Sequence, residues 1–436
     1  MLSAAAVKGR FWQERDKYLK PCLFLLLALM IFQTIPLTAL GPEGYFSEVK
    51  NIHVYQALGL LQGHVYLPFS EPGRMFDIAF VDGHYQCPFP PFPAIVLLPI
   101  VAVFGESTPV VPISLALTAL NVIVLTRLLQ KLAVESRFIP WILAAFFLGS
   151  PYWGVVRGSV VGSYFSHVVA VTGILLALNE AFGKGRGILV GLFLGMAFLS
   201  RQLSVYSAVF LSAVIFQHPR FNSSGQRLRS LLAFGSSLSI AVGIYLIFNW
   251  LRFGNPLDTG YSKWILDDPF MVERWKHFGI FHPQYLFHNF VYMFIQGFHL
   301  EFSPPMYLDK PHVDPFGTSL TFASPFVFFA FWARWKTSLI WAAWCSVGLC
   351  VLHALFYFGN GYVQENGIRY ALDFFPILIV LVALGIKNID SKIWKAAIAY
   401  SIGLNLLAFS LISYAYDFYI EVGRWGKKLI AYVPRT

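Results

Sequence analysis

Acids and arginines stand at the ends of long apolar segments in this sequence, and those two residue types together can move a proton beside a bound phosphate. Glu48, Asp77, Asp82, His167, Arg201, Arg252, Glu365, Arg369 and Asp373 all fall where an apolar run begins or stops. A carboxylate against an apolar wall holds its proton more tightly, which suits a base working near neutral pH. An arginine grips phosphate through two parallel N–H donors. Charges at a membrane boundary are costly unless paired or wet, so each is a functional candidate by default. Glu48, Asp77, Asp82 and His167 are the catalytic candidates. Lys50, His53, Tyr85, Arg201, Tyr261, Arg369 and Asp373 are the candidates for binding substrate.

The elements that must position these residues are greasy. The chain has 436 residues, 57% hydrophobic and 12% charged, where a soluble domain runs near a quarter charged. Apolar runs of spanning length recur from end to end, which predicts an all-α polytopic membrane protein forming a single domain over 1–436. Spans are expected at about 21–40, 109–128, 138–152, 164–182, 187–200, 202–217, 231–250, 319–333, 338–357, 370–386 and 394–415, about eleven in all. The run Phe92–Phe104 is short and interrupted by Pro93 and Pro99, and is expected to lie at the interface. No cleavable signal peptide is expected, since 23–40 is long enough to span and no small-residue cleavage site follows it.

With that assignment the N-terminus and the short inner loops carry 18 Lys and Arg against 5 acids. The bias orients the chain with its N-terminus in the cytoplasm and makes the net charge of +10 an insertion signal rather than a nucleic-acid surface. Two large loops, about 41–108 and 251–318, then lie outside and hold most of the candidates. The four cysteines show no paired spacing. His277, His282, His288 and His299 are 5, 6 and 11 residues apart, which matches no compact metal site. No metal or other cofactor is expected. Tyr285 to Phe298 reads instead as an amphipathic interfacial stretch; Trp264 and Trp275 could equally stack on a sugar ring, and nothing in the sequence decides between the two roles.

Four patches resemble the GT-C glycosyltransferases. Glu48, followed by Tyr55, Leu60-Leu61 and Gly63, is similar to the opening of the first outer loop in the lipid A aminoarabinose transferase and protein O-mannosyltransferase branch. Asp82-Gly83-His84-Tyr85 with Pro88-Phe89-Pro90-Pro91 resembles that branch's Gly-x-x-Tyr…Pro-Pro element. Phe253-Gly254-Asn255-Pro256-Leu257-Asp258-Thr259-Gly260-Tyr261 and Arg369-Tyr370-Ala371-Leu372-Asp373-Phe374-Phe375-Pro376 resemble motifs of bacterial members. The resemblance implies a polyprenyl-phosphate sugar donor and inverting transfer to an acceptor hydroxyl of a lipid, glycan or protein. It places the reaction on the extracytoplasmic face of the plasma membrane, with the first-loop acid, Glu48, as base. The sequence departs from the pattern at Glu48 (Asp in the branch), at Val49 in place of a second acid, at Pro88-Phe89 where a Lys is usual, and at His167 where a later acid is expected.

Each candidate has a plainer role: Glu48 as a loop acid paired with Lys50, Asp77 and Asp82 as turn residues, and His167 as an interfacial histidine bonded to a carbonyl. Arg201 could snorkel to the interface and Arg369 pair with Glu365 or Asp373. A transporter or flippase of lipid-linked sugars would carry its charges near the midplane, whereas an enzyme carries them at one face. A ligase moving a whole glycan would need a larger cavity.

Overall fold

The computed structural model describes residues 51–69, 77–265, 269–301, 306, 312–313, 316–360 and 366–414. The expected first span, Glu48, Lys50, Glu365 and the tail from Tyr416 lie outside the described residues.

Helix α1 (Ile52–Leu61) opens the described chain. Its cap residue, Asn51, accepts from the backbone of His53 and Val54 and donates to the Ser159 carbonyl at 3.0 Å. A hairpin follows, β1 (Ala79–Val81) and β2 (His84–Gln86), with Val81 opposite His84. The two-residue connection is Asp82-Gly83, both at positive φ (50° and 80°), which is the primed turn that Asp-Gly favours. Helix α2 (Phe92–Phe104) contains Pro99 and lies on α1 through Val54, Ala57, Ala94, Leu97 and Val101.

Then come α3 (Val110–Lys131), α4 (Ile139–Phe147), α5 (Tyr152–Arg157) and α6 (Gly162–Ala181). After them stand α7 (Gly187–Phe198), α8 (Ser207–Phe216) and α9 (Ser224–Phe253). The second loop carries α10 (Pro269–Phe278) and α11 (Leu286–Phe294), and the chain closes with α12 (Leu320–Ala323), α13 (Thr337–Phe356), α14 (Phe375–Gly385) and α15 (Ser391–Tyr414).

Among the described residues four helices are long and apolar enough to cross a membrane: α3, α6, α9 and α13. They match four of the expected spans. α15 has 24 residues and α7 has 12. Four other expected spans are broken. The 138–152 stretch becomes the nine-residue α4 and a turn at Pro151, and nine residues rise only ~14 Å of a ~30 Å core. The 319–333 stretch is one helical turn and a 3-10 segment, Pro325–Trp332, started by Pro325. The 202–217 and 370–386 stretches each begin as 3-10 turns, Gln202–Tyr206 and Arg369–Asp373, before becoming helical. An apolar run marks a segment that avoids water, and it carries no sign of these breaks.

α6 is the axis of the molecule. Some 89% of its apolar window is buried, against 28% for α9. α9 turns Leu232, Ile240, Ile244, Ile247 and Leu251 outward, an apolar face suited to lipid. Its other face meets α7 along Gly187, Gly191 and Gly195. A methyl group at Gly187 would overlap the Ser230 carbonyl, one at Gly191 the Ser237 hydroxyl, and one at Gly195 would come 2.7 Å from Ala241 Cβ. Small residues at every fourth position let two backbones approach where no hydrophobic effect drives them together.

The basic loops meet at one end of the bundle. Lys131 Nζ donates to the Asn179 carbonyl at 2.6 Å and Lys387 Nζ to the Ala133 carbonyl at 3.0 Å. Arg186 pairs with Glu180, and Gln217 bonds to Ser338 at 3.0 Å. The starts of α6 and α14 and the ends of α7, α9 and α13 lie at the opposite end, where the candidates gather.

Candidate functional site

Two arginines flank one tyrosine. Arg201 follows the last turn of α7 in extended conformation (φ −146°), its N–H tied to the Ala197 carbonyl at 2.8 Å. Arg369 begins the 3-10 turn that ends at Asp373. The guanidinium of Arg201 lies 5.0 Å from the Tyr370 ring centroid and that of Arg369 lies 5.1 Å from it, with Arg369 also 4.8 Å from Tyr164. Aromatic faces attract such cations, more strongly where water is excluded.

Asp373 takes up much of Arg201's charge. Arg201 donates Nε–H to Oδ1 at 3.3 Å and Nη2–H to Oδ2 at 3.1 Å. Asp373 is fully buried. His167, on the second turn of α6, stands behind it with Nδ1 3.7 Å from Oδ1, too far for a hydrogen bond. Neither ring nitrogen of His167 has a hydrogen-bond partner among the described residues.

Asp77 closes the cluster from the first loop. It is half-buried and holds φ +62°, a left-handed conformation rare outside glycine and most tolerated by Asn and Asp. The Ser163 hydroxyl hydrogen-bonds its carboxylate, and the charges of Arg369 and Arg201 act on it. Burial outweighs these and pushes its pKa up to about 6. Tyr261, from the second loop, lies within electrostatic range of Arg201, Tyr370 and Asp77, and burial pushes its phenol well up. Tyr357 completes the aromatic wall, its ring 6.1 Å from Tyr370 and 6.3 Å from Tyr261.

The two loops that supply Asp77 and Tyr261 are stitched together. Ala79 pairs with Trp264 in a β-bridge, and Ile265 N–H donates to the Ile78 carbonyl at 2.8 Å. Buried Arg252 pins the same region by donating to the Cys87 and Phe89 carbonyls and to Asn249 Oδ1 at 2.7 Å, which makes it a structural residue. Beside the cluster an apolar groove of about 360 Å³ is lined by Tyr206, Phe281, Leu349, Leu352, His353 and Phe356. His353 bonds to Tyr206 Oη at 3.0 Å and feels the charge of Asp373.

Six candidates therefore come together: Asp77, His167, Arg201, Tyr261, Arg369 and Asp373. Three described ones do not. Asp82 is exposed in its turn, where its residue type serves the backbone. Tyr85 packs on Phe69 and Phe80, with ring centroids 5.4 and 4.9 Å away. His53 is wholly buried, with Nδ1 3.0 Å from Gln56 Oε1, and burial pushes its pKa down to about 4, so it is neutral at pH 7. Glu48 and Lys50 lie outside the described residues. Tyr164, Ser163, Tyr370 and Tyr357 were not singled out from sequence. Tyr370 adjoins Arg369 in a quoted motif, Ser163 and Tyr164 lie one helical turn before His167, and nothing near Tyr357 marked it.

The arrangement can seat an anion against Arg369 and Arg201 within reach of a carboxylate that titrates near neutrality. Donors fixed before the substrate arrives stabilise developing charge without reorganising.

No protein-family model matches the chain, and neither does any curated protein. Among solved structures, the chain is similar to the crystal structure of the Archaeoglobus fulgidus oligosaccharyltransferase in its apo form, at 14% identity and a TM-score of 0.41. The alignment covers 94% of this chain and 56% of that one, so the chain spans little more than half its length. A likeness at that score carries no argument about this chain.

Proposed function

We propose that the protein is an inverting membrane glycosyltransferase, moving one sugar from a polyprenyl-phosphate carrier to an acceptor hydroxyl at the extracytoplasmic face. The observation that carries this reading is the cluster at one end of the helices: Asp77 between Ser163 and Arg369, with Arg201, Tyr261 and Tyr370 around it. Charges gathered at helix ends support an enzyme over a carrier that would hold them midway. In this scheme Arg369 and Arg201, which flank Tyr370, hold the donor phosphate between them. Tyr370 keeps the two guanidiniums apart, and the apolar groove beside His353 takes the carrier's tail.

Asp77 accepts the acceptor's hydroxyl proton as the oxygen attacks the anomeric carbon, and the carrier phosphate leaves toward the arginines. The bond formed is sugar carbon to acceptor oxygen and the bond broken is sugar carbon to phosphate oxygen. An anion on Arg369 removes the positive charge that lowers Asp77's proton affinity, so donor binding makes the base stronger.

Glu48, the base expected from the sequence, lies outside the described residues and remains the alternative proton acceptor in this scheme. Turnover of a radiolabelled polyprenyl-phosphate sugar by Asp77→Asn and Glu48→Gln separates the two assignments. Loss in Asp77→Asn with donor binding intact supports the scheme, and near-normal turnover in that variant would remove Asp77 as base.

A further inference from the structure

At the opposite end of the bundle a second groove, of about 340 Å³, opens between the starts of α7 and α9. Arg186, Arg220, Arg229 and Gln226 line it on the polar side, Ile188 and Ala233 on the apolar side. We propose that this groove binds the phosphate of an anionic membrane lipid, with the lipid's chains lying in the furrow between α7 and α9. It is separate from the donor site, which lies at the other end of the same helices.

The charge is the first argument. Glu180 accepts from Arg186 through two bonds, 2.8 and 2.9 Å, and so compensates that arginine. Arg220 and Arg229 form no ion pair among the described residues. Arg220 is nonetheless fixed, because it donates to the Lys184 carbonyl. The groove thus presents two uncompensated guanidiniums, one of them positioned in advance. α7 also begins here, at Gly187, where the Glu180 carboxylate accepts the Arg186 N–H at 3.2 Å and so is spent on Arg186 rather than on Arg220 or Arg229.

The apolar side is the second argument, and it selects a lipid over a free phosphate. Ile188 and Leu192 stand one turn apart on α7 and are 55% and 43% exposed. On α9, Arg229, Ala233 and Ile240 share one face, and Ile240 is 61% exposed. Eleven residues of helix rise ~16 Å, about half of a ~30 Å hydrocarbon core. The furrow therefore runs from a phosphate-sized basic mouth down an apolar track of one leaflet's depth. A free phosphate would use the mouth and leave the track bare.

The test uses the full chain, delipidated in neutral detergent, and native mass spectrometry with dioleoyl phosphatidylglycerol, dioleoyl phosphatidylcholine or inorganic phosphate. Two uncompensated arginines should favour the anionic lipid by roughly 30-fold. Arg220→Gln with Arg229→Gln should abolish that preference. Arg334→Gln with Lys336→Gln, elsewhere on the basic end, should leave it intact, and thermal unfolding of each variant reports folding. Ala233→Trp, which fills the track but spares the charge, should also release the lipid, and it serves if the arginine variant does not fold. Equal retention of both lipids, equal loss in the Arg334/Lys336 control, or full displacement by millimolar phosphate would each overturn the proposal.

Discussion

Arg201 and Asp373, 172 residues apart in the chain, meet through two hydrogen bonds of 3.3 and 3.1 Å, with the Asp373 side chain fully buried and that of Arg201 11% exposed. The pair fastens the end of α7 to the start of α14.

Breaking that pair on one side strands a buried charge, which typically costs about 3–5 kcal/mol. Arg201→Met and Asp373→Leu should each lower the unfolding temperature sharply. The double substitution should regain most of the loss without regaining turnover. Thermal melts of the four proteins in detergent check this, and a double variant as unstable as the worse single would refute it.

In the proposed scheme Asp77 must be ionised to accept the proton, so the rate should fall below a pH of about 6. Stability runs the other way. Burial raises the folded pKa from 3.8 to about 6, so the folded state holds the proton more tightly than the unfolded chain does. The contribution is whole below the unfolded value and is lost as pH rises through the folded one. Asp77→Asn, which also tolerates a left-handed backbone, should therefore stabilise the protein by about 2 kcal/mol at pH 8 and confer no advantage near pH 4. Melts at the two pH values decide it.

Tyr370 is expected to act through its ring. Tyr370→Phe should keep donor affinity within a few-fold. Tyr370→Ala should raise KM for the phosphate-bearing donor by about tenfold while kcat changes less, since a cation–π contact is worth ~1–2 kcal/mol when desolvated. Equal effects of the two substitutions would assign the role to the hydroxyl instead.

Asp82 should be replaceable. Asparagine suits the same primed turn, so Asp82→Asn is expected to leave turnover within twofold. A large loss measured in the same assay would return Asp82 to the chemistry.

The glycine row of α7 makes the last prediction. Gly191→Leu would drive a side chain into Ser237 and the Phe234 carbonyl, and should cost more than about 3 kcal/mol or prevent folding. Gly235→Ala on α9, with nothing within 4 Å of the added carbon, should stabilise by about 0.5–1 kcal/mol.

Hydropathy made the apolar segments legible, because burial and lipid contact both select the same residue types. It did not show where backbones break: Pro151 and Pro325 sit at breaks inside runs that look uniform in composition. The spacing of Gly187, Gly191 and Gly195 is a packing face written in the sequence, masked by the apolar residues around it. At the site, residue type picked out Asp77, Arg201 and Arg369, since charge beside oil is conspicuous. Tyr357 and Tyr164 were hidden because an aromatic residue in a chain with 43 Phe and 21 Tyr carries no signal of its own. Asp82 and Tyr85 drew attention through a motif whose residues serve a turn and an aromatic cluster.

The bridge between Ala79 and Trp264 couples segments that hold Asp77 and Tyr261. Neither segment can swing away like a flap without dragging the other along. The carboxylate and the phenol thus stand on one shared support, and a change in either segment is felt by both side chains.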